Sequence, residues 1–139
     1  MTPRTRLDKV VQVRERKEDG ALSALAEARA ATELAAGRLS RAREVAKADR
    51  RAKGPVELWQ VDELARRRAL QGVKAAEQDL LRAKEGELAA RDGYVEARKA
   101  REVVGRIQER RRAEIVADLE KRDQRGTDEV ATRTFNASR

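Results

Sequence analysis

Between Ala69 and Val104 the chain repeats apolar residues in alternating steps of four and three: Ala69, Val73, Ala76, Leu80, Ala83, Glu87, Ala90, Tyr94, Ala97, Arg101, Val104. Nine of these eleven positions are apolar. A 4-3 spacing repeats every 3.5 residues, so it draws one narrow stripe along a helix and favours wrapping around a partner. Leu81, Leu88 and Val95 follow directly after three of the stripe positions and widen it to one side. Arg82, Lys84, Glu85, Arg91, Asp92 and Lys99 lie between and are expected to face water. One stripe cannot bury itself, so a second one must come from this chain or from another.

The chain supplies one. Steps of four and three from Leu7 run through Val11, Arg14, Glu18, Ala21, Leu25, Ala28, Thr32, Ala35, Leu39, Ala42 and Ala46, nine of the twelve apolar. Thr5 and Asp8 have capping-box spacing, which starts this helix near Arg6. Gly20 and Gly37 each weaken it by roughly 1 kcal/mol relative to Ala but do not end it. Gly54-Pro55 is the strong break: Gly suits the position after a helix end, and Pro cannot continue a helix.

Composition limits what these stripes can build. Ala, Glu, Lys, Leu and Arg make up 86 of the 139 residues, the signature of long helices, whereas Leu, Ile, Val and Phe together number 27. That little large apolar side chain excludes a thick globular core and suffices for a thin seam between two helices. The expected fold is all-α: a long antiparallel two-helix coiled-coil hairpin with unequal arms. Helix 1 spans about 6–48, the tip 49–60, helix 2 about 61–125 and a tail 126–139, all in a single coiled-coil domain. At roughly 1.5 Å per residue the arms measure about 60 and 100 Å. Pairing each large seam residue with a small one gives a register in which facing numbers sum to about 115. Leu39 then meets Ala76, Ala35 meets Leu80, Leu25 meets Ala90 and Val11 meets Val104. The same register brings Arg14 near Arg101 and Leu7 beside Gln108.

Chemistry-bearing constellations are scarce. The sequence has no Cys and no His, which removes disulfides and thiolate or imidazole metal ligation. It shows no nucleotide loop and no nucleophile–base pair. Carboxylates such as Glu85, Glu87, Asp128 and Glu129 have cations nearby, and a two-helix rod gives them no pocket in which a pKa could be tuned for acid catalysis. The expectation is a non-enzyme with no cofactor. Residues 1–20 carry no apolar leader, and no apolar run approaches the roughly 20 residues that span a bilayer, in keeping with a cytoplasmic protein.

The net charge is +8, with acids interspersed almost throughout, the usual solvated face of a long helix. A nucleic-acid-binding coiled coil would use Arg66-Arg67-Arg68 and Arg110-Arg111-Arg112 on phosphates. Trp59, Tyr94 and Phe135, the only side chains able to stack on bases, lie far apart in sequence. Nucleic acid is therefore not the expected partner; a generic self-associating scaffold is a further alternative. Leu58, Trp59, Val61 and Leu64 form the one aromatic-centred apolar patch outside the seams. It suits either a cap over the seam's end or a docking patch.

A basic alanine-spaced helix, a Gly/Pro break, a longer second helix with Arg111, Arg112 and Glu114, and an ending DEVATRTF with Asp128-Glu129, Ala131 and Phe135 follow one another in order. This order resembles the FliJ family of flagellar export proteins and, more loosely, the YscO-type stalk proteins of type III secretion. Thr127 departs from the apolar residue that the family often has before its Asp-Glu pair. The resemblance implies the central stalk of an export ATPase, similar to the γ-subunit stalk of F-type ATP synthases. Its helix ends would insert into the ATPase hexamer and promote assembly and activity. Its tip would reach toward a membrane protein of the export gate, and export chaperones are implied as further partners. The protein would then be cytoplasmic and peripheral to the inner membrane only through its partners. On that reading Leu7, Val11, Arg14, Ile115, Leu119, Arg122, Arg125 and Phe135 engage the ATPase, and Leu58, Trp59 and Leu64 the gate. The first group sits in a basic neighbourhood of Arg4, Arg6, Lys9, Arg16, Lys17, Arg106 and Arg110 to Arg112, suited to acidic side chains.

Overall fold

The computed structural model describes residues 3–48 and 54–138. Two helices account for nearly all of them: α1, Asp8–Lys47, and α2, Val56–Ala137. They pack against each other as a hairpin without strands among the described residues. Contacts divide the chain into two compact units to which both helices contribute: unit 1, residues 1–18 and 97–139, and unit 2, residues 19–96.

In unit 2 the stripes are the seam. Leu25, Ala35 and Leu39 are buried to 5–7% exposure, and Ala21, Ala28, Thr32, Ala42 and Ala46 are half-buried. On α2, Ala69, Val73, Ala76, Leu80, Ala83, Glu87, Ala90 and Tyr94 are all half-buried, while Leu81 and Leu88 stay about 60% exposed. The Thr32 hydroxyl donates to the Ala83 carbonyl at 3.3 Å. Arg29 pairs with Glu87 at 3.7 Å and Arg43 with Glu77 at 3.3 Å. Partner numbers on α2 fall as those on α1 rise, so the two helices are antiparallel. Thr32 and Ala83 sum to 115, in agreement with the register read from side-chain volumes.

In unit 1 the stripe changes character. Leu7, Val11, Arg14 and Glu18 on α1 and Ala97, Arg101, Val104, Arg112 and Ile115 on α2 are half-buried, and the buried residue is polar, Gln108. The expected approach of Arg14 to Arg101 is resolved by one helical turn: Arg101 forms an ion pair with Glu18. Beyond Ile115 every described residue, through Ser138, is exposed.

Two expected boundaries differ from the structure. Helix 2 begins at Val56 rather than about 61, so 56–60 are helical; 49–53 of the expected tip lie outside the described residues. Pro55 acts as a starter rather than a barrier, because its missing N–H would be unpaired in a first turn anyway. Its carbonyl accepts from the Leu58 N–H at 3.0 Å. Gly126 does not end the helix and 126–137 are helical, not a separate tail. A glycine stops a helix by taking positive φ, and no described residue does so.

Candidate interaction surfaces

The N-terminus of α1 is set by a capping interaction that also reaches across to α2. The Thr5 N–H donates to Asp8 Oδ2 at 3.1 Å and its hydroxyl to Oδ1 at 2.7 Å. This is one half of a capping box, the side chain of the third residue reaching back to the cap. The same Oδ1 accepts from Gln108 Nε2 at 2.6 Å and from Arg112 Nη2 at 3.2 Å. Asp8 is therefore the centre of a four-residue cluster joining the two helices of unit 1. The Thr5 hydroxyl foremost, then the Gln108 amide, the Thr5 N–H and the Arg112 charge stabilise its ionised form and lower its pKa to about 2. The sequence signal for this contact was the stripe's continuation from Val104 in steps of four to Gln108 and Arg112. It is easily overlooked because the residues on it are polar.

All eight residues expected to engage an ATPase fall in unit 1. They divide by exposure. Leu7, Val11, Arg14 and Ile115 are half-buried along the helix pair, whereas Leu119, Arg122, Arg125 and Phe135 are exposed on the remainder of α2. Phe135 is 60% exposed, an aromatic held on a helix rather than on a tail. This stretch manages its polar groups internally. The hydroxyls of Thr127, Thr132, Thr134 and Ser138 donate to Asp123, Asp128, Val130 and Phe135 carbonyls of the same helix at 2.8–3.0 Å.

The three residues expected at the gate fall in unit 2 and separate. Trp59 and Leu64 line a shallow open hollow with Val56, Gln60, Glu63 and Arg67 on one face of α2's first turns. Arg67 Nε donates to Glu63 Oε1 at 3.1 Å along that face. Leu58 points elsewhere, its Cδ1 standing 3.1 Å from where a Cβ on Gly54 would be. The hollow is shallow and open, and two of its charged groups, Glu63 and Arg67, pair with each other, which fits a protein surface better than a small molecule. Among the described residues no cluster of three or more His, Cys, Asp or Glu could hold a metal ion. No described helix is long and apolar enough to cross a membrane.

No curated protein matches the chain, and no solved structure does. The family described as "Flagellar FliJ protein" matches residues 3–139. That match covers both helices, the capping threonine and the DEVATRTF ending together. The chain thus belongs to the flagellar FliJ protein family and is associated with flagellar export.

Proposed function

We propose that the protein is the central stalk of a flagellar export ATPase. The observation that carries this reading is the stretch of α2 after Ile115, helical to Ala137 and exposed on all sides, with Leu119, Arg122, Arg125 and Phe135 along it. An exposed helix bearing large apolar and cationic side chains is suited to the axial hole of a hexameric ring, where it meets several subunit faces in turn. Arginines add bidentate contacts to ring carboxylates and steer the approach. Leu7, Val11, Arg14 and Ile115 belong to the same unit and would broaden the contact at the ring's mouth. Insertion promotes hexamer assembly and activity by adding binding free energy to the assembled state alone.

Trp59 and Leu64, with Leu58 close by, form the docking surface for a membrane protein of the export gate, and the exposed flanks take export chaperones. The protein works at the cytoplasmic side of the inner membrane, held there by these partners. Deleting 115–139 tests the stalk assignment. Stimulation of the cognate export ATPase should be lost while the circular dichroism of the remaining hairpin stays helical. Full stimulation by the truncated protein would refute it.

A further inference from the structure

The two units differ in what their seams bury. Unit 2 contains the buried apolar residues Leu25, Ala35 and Leu39. In unit 1 the buried residue is Gln108, the apolar stripe residues are only half-buried, and the side-chain bonds between the helices join Asp8 with Gln108 and Arg112, and Glu18 with Arg101. These pairs sit in the stripe where an apolar pair would bind more tightly, since desolvating two charges offsets much of their attraction. The side chains of the two ion pairs, Arg101–Glu18 and Arg112–Asp8, retain 15–39% exposure, so salt can reach them. The network is also incomplete: Arg112 Nε is buried without a hydrogen-bond partner. A buried donor left unpaired costs free energy, and that cost is recovered when the contact opens and water or a new acceptor reaches it.

We propose that Asp8–Glu18 of α1 is a releasable clasp on α2, and that acidic side chains of a protein partner open it by replacing Asp8 and Glu18 on Arg112 and Arg101. The clasp's own carboxylates are then stand-ins for those of the partner. Release bares the half-buried Val11, Val104 and Ile115 at the same moment that the arginines change hands, so the charge exchange controls access to the apolar surface. Taking the acidic partner to be the ATPase ring rests on the stalk reading; the releasability of the clasp does not.

Hydrogen exchange on the full chain at 50 mM and 1 M NaCl tests the release without any partner. Amides of 8–18 should lose about tenfold of their protection at high salt, while those of 21–46 change less than about twofold, since the ion pairs Arg29–Glu87 and Arg43–Glu77 of the second segment only flank a seam that buries Leu25, Ala35 and Leu39. Equal responses in the two segments would overturn the clasp. Glu18→Leu combined with Arg101→Leu replaces one pair by an apolar contact and should remove most of the salt response of 8–18; an undiminished response overturns the assignment to these pairs. Val11→Cys with Val104→Cys then locks the clasp with a disulfide. The oxidised protein should stimulate the ATPase severalfold less than the same protein reduced. Equal stimulation by the two forms would overturn the clasp while leaving the stalk reading intact.

Discussion

Thr32 on α1 donates its hydroxyl to the carbonyl of Ala83 on α2 at 3.3 Å, and also to the Ala28 carbonyl of its own helix at 3.0 Å. A threonine in an apolar stripe is thereby accommodated, and the contact pins one helix against the other at a single register. The opposed pairs that follow include Leu39 with Ala76. Cysteines at 39 and 76 should form a disulfide within a monomer, and cysteines at 39 and 83 should not, because two turns of helix separate the latter from contact. Mobility on a non-reducing gel distinguishes the outcomes.

Leu25 and Leu39 carry the packing of unit 2, at 5% and 7% exposure. Leu25→Ala or Leu39→Ala should destabilise the hairpin by about 2–4 kcal/mol, at the lower end if the thin seam collapses around the gap. Leu81→Ala and Leu88→Ala, at 61% and 60% exposure, should change stability by less than about 0.5 kcal/mol. Urea unfolding followed by circular dichroism measures all four.

A Cβ added at Gly86 or Gly93 would meet nothing within 4 Å, and both residues are helical with ordinary φ. Each therefore weakens α2 without serving the packing of this chain. Gly86→Ala and Gly93→Ala should each stabilise the protein by roughly 0.5–1 kcal/mol, and their effects should add approximately. A rise in the urea midpoint at unchanged slope is the expected result.

Asp8 has a pKa of about 2 in the folded chain against an ordinary value of 3.8. A depressed acid contributes stability that is complete above the unfolded value and is lost as the pH falls through the folded one. Asp8→Asn should thus be less stable than the unsubstituted chain at pH 5, and the gap should close between pH 4 and pH 2. Paired urea titrations across that window measure the gap. A gap independent of pH would mean that the carboxylate's charge is not what holds Thr5, Gln108 and Arg112 together.

Much of the fold was legible because a 3.5-residue repeat leaves few alternatives. Each of the positions counted from Leu7 and from Ala69 is half-buried or buried, down to the polar Glu18, Thr32, Glu87 and Arg101. Spacing determined burial there, and residue type did not. The ends were harder to read. Pro55 and Gly126 are breakers by propensity, yet a proline in a first turn and a glycine of ordinary φ both leave a helix intact. The Asp8 cluster was hidden for a related reason: Gln108 and Arg112 continue the stripe with polar groups, and a search for apolar residues passes over them. For the candidate surfaces, sequence grouped Leu58 with Trp59 and Leu64. Consecutive helical residues point about 100° apart, and the structure separates Leu58 accordingly.

The α2 stretch from Val116 to Ala137 is exposed around its whole circumference, and its threonines spend their hydroxyls on carbonyls of their own helix. No side of this stretch is covered by the chain itself, so a partner can reach it from any direction about the helix axis. A sleeve that closes round a helix needs that access, and a partner that lies along one face does not.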